Sequence, residues 1–130
     1  MKYYMNTVLK DKSFDEAIDL VTRELKKEGF GVLTEIDIDK TLKKKIDVDF
    51  KRYKILGACN PEFAYKALIA EDKIGVLLPC NVIVEENGDD NIEVSAVDPL
   101  VSMSAVENDK LADLAKEVKS KLQKVIEQLK

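Results

Sequence analysis

Hydrophobic residues recur at every second position in some segments of this chain and at helical spacing in others. These two patterns predict strands and helices that alternate along the sequence. Alternation at every second position, typical of a strand, occurs over residues 2–9, 30–36, 53–58 and 92–96. In the second of these stretches the pattern places Phe30, Val32, Thr34 and Ile36 on one face. A fifth apolar run, residues 74–84, contains Pro79, which predicts a bulge, a bend or an edge position because proline donates no backbone hydrogen bond.

In the segments between these strands, the apolar residues follow helical spacing. Ser13 and Glu16 form a capping-box pattern before an apolar stripe, and Gly29 predicts the end of that helix. Residues 39–45 predict a short helix capped by Asp39, with Leu42 and Ile46 facing inward. Asn60 and Pro61 predict a helix start, and that helix is expected to run to about residue 71. Its expected buried residues are Ala64, Ala67 and Leu68.

The last helix is expected over residues 108–128. Its apolar residues follow a four-three spacing: Leu111, Ala115, Val118, Leu122, Val125 and Leu129. Such a stripe indicates a helix docked on a sheet, and the alternative is a helix that also forms a dimer seam. Asn87-Gly88-Asp89 predicts a hairpin turn before the final strand, which ends at Asp98-Pro99.

The resulting order β-α-β-α-β-α-β-β-α predicts one α/β or α+β domain, a sandwich in which helices pack on a mixed β-sheet. The length of 130 residues fits a single domain with a sizeable core. A formal net charge of −4 disfavours nucleic acid and acidic membranes as partners. With no signal peptide and no membrane-spanning stretch, a cytoplasmic location with reduced thiols is expected.

Two cysteines carry the most informative chemistry, because the chain has no histidine to act as a general base or metal ligand. Cys59 precedes the helix start at Asn60, where unpaired N–H groups can stabilise a thiolate or another anion. Cys80 follows Pro79 inside an apolar run. Each can instead be a buried, inert thiol. If a right-handed crossover joins their strands, both lie at the carboxyl edge of the sheet, where a redox pair is a further alternative.

Other polar residues supply alternative site groups. Asn60 and Asn81 can orient a polar ligand or serve only as cap and turn residues. A lysine-rich stretch from Lys40 to Lys54, which includes Lys44, can bind a small anionic ligand or form a solvated surface. A metal site would need two ligands besides the two thiolates, and only carboxylates or amides are available, so neither a metal nor a cofactor is predicted.

Three sequence runs resemble the domain of unknown function 302 family: GFGVLTEID at 29–37, YKILGACNP at 53–61 and IGVLLPCNV at 74–82. Shorter matches at Thr41-Leu42-Lys43, Asp49-Phe50, Ala64, Ala67-Leu68 and Asp98-Pro99 extend the resemblance over nearly the whole chain. The resemblance implies a compact α/β homodimer and no established function. It also marks family-pattern positions: Glu35, Asp37, Tyr53, Cys59, Asn60, Cys80 and Asn81.

Two functional hypotheses follow from these residues. The first is a small-ligand or thiol-chemistry site at Cys59 and Cys80, with Asn60 and Asn81 as polar groups. In that site Glu35 and Tyr53 could replace histidine in acid–base roles. The second is a non-enzymatic homodimeric binding module whose cysteines are structural. Whether the chain is an enzyme stays open between the two.

Overall fold

The computed structural model describes residues 2–88 and 91–130, and these residues form one α+β domain with an open five-stranded sheet. The strands are β1 (Tyr4–Lys10), β2 (Gly31–Asp37), β3 (Tyr53–Cys59), β4 (Cys80–Glu86) and β5 (Asn91–Val97). The helices are α1 (Phe14–Lys27), α2 (Ile38–Ile46), α3 (Pro61–Ala70), α4 (Pro99–Ser102) and α5 (Asp109–Gln128). A 3-10 helix, Asp72–Leu77, follows α3. The predicted fold class and element order are confirmed, with α4 and the 3-10 helix added.

The strands lie in the order β1-β5-β4-β3-β2, and every neighbouring pair is antiparallel. The sheet is therefore not mixed, and the expected right-handed crossover between β3 and β4 is wrong. A helix between two strands does not decide whether they are parallel or antiparallel, because a long connection can lead to the same end of the sheet or to the opposite end. Here the connection through α3, the 3-10 helix and Pro79 returns to the end at which β3 finishes, so β4 is antiparallel to β3.

The core lies between one face of the sheet, here called the inner face, and helices α1 and α5. One row of residues paired across four strands shows this burial: Leu56, Val82, Ala96 and Met5. Phe14, Val21 and Leu25 of α1 pack on this face, as do Leu122 and Val125 of α5. The apolar stripe of α5 is thus buried in its own chain, which agrees with a helix docked on the sheet. Removing these side chains from water is the main stabilising contribution.

The predicted helix caps at Ser13, Gly29 and Asn60 are confirmed, and Asn108 caps α5. Ser13 and Glu16 form both hydrogen bonds of the capping box. Gly29 adopts φ +88°, the left-handed conformation that suits glycine after a helix. Asp39 is not a cap: Asp37 holds the N-cap position of α2, and the Asp39 carboxylate accepts a hydrogen bond from the backbone N–H of Tyr53.

A β-bulge in β2 changes which side chains share a face. The register between β2 and β3 shifts between Val32 and Thr34, so Val32 pairs with Ala58 on the inner face whereas Thr34 pairs with Gly57 on the opposite, outer face. The expectation that Phe30, Val32, Thr34 and Ile36 share one face is therefore wrong. An extra residue reverses the alternation for every position after it.

Two further expectations differ from the structure, and a third lies partly outside the described residues. The apolar run at 74–84 divides at Pro79, because Ile74 belongs to the 3-10 helix and β4 begins only at Cys80. Leu68 and Ile46 are exposed rather than buried, at 43% and 63%. The predicted turn Asn87-Gly88-Asp89 reaches Asp89, which lies outside the described residues, although β4 and β5 pair as a hairpin requires. None of the described helices is long and apolar enough to span a bilayer.

Candidate functional site

The junction of β3 and α3 places Cys59 and Asn60 at one end of the sheet. Oδ1 of Asn60 accepts a hydrogen bond from the backbone N–H of Phe63 at 3.4 Å, which caps α3. Nδ2 of Asn60 donates to the Glu28 carbonyl oxygen at 3.5 Å, which ties α3 to the end of α1. Asn60 therefore fills the helix N-terminus that an anionic ligand would otherwise occupy, and Cys59 lies half-buried just before it.

Cys80 begins β4 on the inner face, directly opposite Ala58 on β3. Its side chain is buried, and burial raises the pKa of the Cys80 thiol to about 11, with a smaller contribution from Cys59. The thiol is consequently neutral at physiological pH. A neutral buried thiol behaves as a small apolar side chain and not as a nucleophile.

Both thiols are free, and their sulfur atoms do not form a close pair in the part of the chain that the structure describes. The expectation that both cysteines lie at the carboxyl ends of their strands is wrong for Cys80, because β4 runs antiparallel to β3 and begins at that residue. The register pairs Cys80 with Ala58 and not with Cys59. A redox pair has no support in this arrangement.

An apolar cavity of about 40 Å³ lies behind the two cysteines. It forms where the main core meets a second apolar cluster of Ala67, Ile74 and Leu111. The lining residues come from β3, β4 and the helices that cover this end of the sheet, and most are apolar: Phe30, Ala58, Phe63, Ala64, Ala67, Leu78, Met103, Leu111, Leu114, Ala115 and Val118. The small side chains of Ala64, Ala67 and Ala115 leave this space between α3 and α5.

The remaining predicted site residues lie elsewhere. Tyr53 and Asn81 are on the outer face of the sheet, away from the cavity. Glu35 is exposed on the edge strand β2, where its carboxylate lies 3.8 Å from Nζ of Lys54. Lys44 is exposed on α2. The structure thus places Cys59, Asn60 and Cys80 around one cavity, without close contact between the two thiols, and the other four residues elsewhere.

The lysine-rich stretch is largely matched by carboxylates. Lys43 contacts Asp47 and Asp49 at 3.0 and 3.2 Å, and these ion pairs raise the pKa of the exposed Lys43 ammonium. Arg52 contacts Asp15 at 3.3 Å and Lys51 contacts Glu85 at 2.8 Å. Such pairing favours a solvated, balanced surface over a dedicated anion pocket.

Sequence reasoning missed the contribution of the C-terminal region to the cavity. The helical spacing of Leu111, Ala115 and Val118 predicts that these side chains are buried. It does not predict that they line a cavity. Met103 follows α4 and carried no periodic signal. Within residues 2–88 and 91–130, no group of three or more cysteine or carboxylate side chains is arranged to hold a metal ion.

Comparison with known proteins identifies a family and a fold. The chain matches the family model described as domain of unknown function DUF302 over residues 5–129. No curated protein matches it. Among solved structures it is similar to the crystal structure of an uncharacterized conserved protein DUF302 from Bacillus stearothermophilus, with a TM-score of 0.92, 23% sequence identity and 100% of both chains covered. At that identity the similarity shows the fold alone.

Proposed function

The chain belongs to the DUF302 family, and from that premise we propose that it binds a small apolar molecule in the cavity between α3 and α5. One observation carries the proposal: an apolar cavity borders the only two thiols of the chain and the Asn60 side chain. Concave, mainly apolar spaces with a few polar groups are the usual form of small-molecule sites.

The lining of the cavity determines the class of ligand. Its volume of about 40 Å³ would hold only about three waters, at roughly 10–15 Å³ for each. A water also needs two to four polar partners, and the apolar lining provides few of them. The cavity therefore favours a small apolar molecule, or the apolar end of a larger one, over water or an ion. Met103 can adapt to the guest because its unbranched side chain adopts many shapes.

Binding is favoured over catalysis by the chemistry of the lining. Cys80 is neutral, and among the described residues that line the cavity the two thiols are the only titratable groups. A thiol reaction needs a base or a stabilising charge beside the sulfur atom. Neither Glu35, on the edge strand β2, nor Tyr53, on the outer face, lines this cavity. Cys59 is accordingly proposed as a contact for the guest.

Xenon binding to the full chain tests this proposal, because xenon enters dry apolar cavities. Methyl NMR spectra recorded under increasing xenon pressure should show saturable shifts at Leu111, Ala115 and Val118. Ala115→Val fills part of the space and should abolish these shifts. Ala112→Val adds the same two carbons at an exposed position of the same helix and should preserve them. Equal behaviour of the two variants, or shifts confined to other methyl groups, contradicts the proposal.

A second candidate function, a homodimeric binding module, is favoured by the exposed surface of α3. This helix carries apolar residues on both sides, yet only Ala67 is buried. The apolar patch comprises exposed residues of α3 and the 3-10 helix: Tyr65, Leu68, Ile69, Val76 and Leu77. Exposed apolar residues grouped on two consecutive elements in this way are typical of an interaction surface.

Sedimentation at micromolar concentration tests the dimer. The wild-type chain should sediment as a dimer, and Ile69→Ser should shift it to the monomer. Leu33→Ser is the matched control, because Leu33 is a similarly exposed apolar residue outside the patch. A monomeric wild-type chain, or a dimer that survives Ile69→Ser, removes this candidate and leaves the cavity proposal intact.

A further inference from the structure

A groove of about 530 Å³ crosses the outer face of the sheet, on the side opposite the cavity. Its floor lies over β4 and β5, and its polar and aromatic lining includes Tyr3, Tyr4, Tyr53, Glu85, Glu93 and Ser95. Ile83 and Val97 supply apolar floor between these groups. The groove thus combines carboxylates, aromatic rings and apolar surface within one concave space.

The two carboxylates of the groove are direct cross-strand neighbours. The β4–β5 register pairs Glu85 with Glu93, and like charges placed directly opposite each other destabilise a sheet. Nζ of Lys51 contacts Glu85 at 2.8 Å. Glu93 accepts hydrogen bonds only from uncharged amides, Asn6 at 2.8 Å and Asn87 at 2.9 Å, and forms no ion pair with any described residue. Glu93 therefore has no direct cationic partner among these residues, although Nζ of Lys2 donates to Oδ1 of Asn6 and Nζ of Lys51 donates to Oδ1 of Asn87.

The aromatic rings supply the second element of a cation site. Tyr53 lies beside Glu85 across β3 and β4, and burial together with the Glu85 charge raises the pKa of Tyr53, so its phenol stays neutral. The rings of Tyr3 and Tyr4 meet edge to face with centroids 5.2 Å apart. Nζ of Lys2 lies 5.1 Å from the Tyr4 centroid, so an ammonium group of the chain itself already occupies one ring face at the margin of the groove.

Ser95 supplies an unpaired polar group in the floor. Its residue is only 6% exposed, it lines the groove, and its hydroxyl forms no hydrogen bond with the residues at 2–88 and 91–130. No side-chain oxygen or nitrogen of the described residues is both fully buried and without a partner, so the Ser95 hydroxyl opens onto the groove, where water or a ligand can bind it. Its position between the aromatic residues and Glu93 suits an incoming N–H donor.

We propose that this groove binds a primary alkylammonium ion. The ammonium group would donate hydrogen bonds to Glu93 and Ser95 and place a positive charge in direct contact with the Glu93 carboxylate, while the tyrosine rings would flank it. The alkyl chain would lie over Ile83 and Val97. A quaternary ammonium ion retains the charge but donates no hydrogen bond, so it should bind more weakly than a primary one.

Titration of the full chain with butylammonium chloride at constant ionic strength tests the proposal. Backbone amide spectra should show saturable shifts at β4 and β5 residues of the outer face. Glu93→Gln should weaken binding by about tenfold or more, because a charge-assisted hydrogen bond is replaced by a neutral one. Glu86→Gln removes the same charge one residue beyond Glu85, on the opposite face of β4, and should leave the affinity unchanged.

A second variant and two other ligands complete the test. Tyr53→Leu should also weaken binding, because it removes the ring while keeping an apolar side chain. Butyltrimethylammonium should bind less tightly than butylammonium, and butanoate should cause no saturable shift. Absence of saturable shifts with butylammonium, equal affinities for Glu93→Gln and Glu86→Gln, or equal affinities for the primary and quaternary ions would overturn the proposal.

Discussion

Gly29 and Asn60 are in direct contact where α1 ends and α3 begins. A Cβ atom at Gly29 would lie 2.9 Å from Nδ2 of Asn60, and the same Nδ2 donates to the Glu28 carbonyl oxygen. The glycine therefore lets Asn60 approach the end of α1 while it caps α3. Since Cys59 is the next residue, this contact positions the only half-buried thiol of the chain.

Gly29→Ala is expected to destabilise the chain by more than about 1 kcal/mol. The substitution places a side chain at φ +88° and drives its Cβ against Asn60. Gly31→Ala is the matched control, because nothing lies within 4 Å of its Cβ and its φ is not positive. Urea unfolding measures both variants. A similar loss of unfolding free energy in the two would show that the Asn60 contact is unimportant.

The two cysteines should differ in their reaction with iodoacetamide. Cys59 is half-buried, whereas Cys80 is buried with a pKa raised to about 11 by burial. At pH 8 Cys59 is therefore expected to react much faster, because the thiolate is the nucleophile and Cys80 holds almost none. Peptide mass spectrometry on the reduced native chain gives both rates. Cys59→Ser and Cys80→Ser proteins assign the rates to single thiols, and equal rates would contradict the burial of Cys80.

The raised pKa of Cys80 also predicts a loss of stability at high pH. Its folded-state pKa of about 11 exceeds the unfolded value near 9.0, so the folded state retains a proton that the unfolded state releases. The resulting stabilisation is present below pH 9 and is lost as the pH rises to 11. Thermal unfolding of wild type and Cys80→Ala between pH 8 and 11 measures the difference. Parallel curves for the two proteins would show that the Cys80 thiol does not contribute.

The capping box of α1 predicts an effect of acid pH. Hydrogen bonds from Ser13 hold the pKa of the exposed Glu16 carboxylate below its ordinary value of 4.5. Its stabilisation is therefore present above pH 4.5 and is lost as the pH falls through the lowered folded-state value. Glu16→Gln should lack this acid-dependent loss relative to wild type in urea unfolding from pH 7 to 3. Glu117→Gln, an exposed change on α5 without a capping role, should follow the wild-type curve.

Leu122 is the central residue of the α5 contact with the sheet. It is fully buried in the main core, and Leu122→Ala should reduce the unfolding free energy by about 2–5 kcal/mol through lost burial and a residual cavity. Leu33→Ala removes the same atoms from a side chain that is 67% exposed and should change stability by about 0.5 kcal/mol or less. Comparable losses would show that α5 is not docked as described.

Local patterns identified most elements because they act over a few residues. Features that depend on hydrogen bonds within one turn can be predicted from the sequence. They include the Ser13–Glu16 capping box, the left-handed Gly29 and the helix start at Asn60-Pro61. The stripe of α5 reported burial correctly for the same reason. The bulge at Val32–Thr34 escaped detection because nothing local marks an extra residue in a strand that still alternates.

The sequence by itself determined the element order, the single domain and the helix caps at Ser13, Gly29 and Asn60. Only the tertiary structure decided the direction of β4, the separation of Tyr53 and Asn81 from the cysteines, and the pairing of Glu85 with Glu93. Strand direction and register depend on hydrogen bonds between residues far apart in the chain. Periodicity shows that a side chain is buried, whereas long-range pairing determines which other side chains it meets.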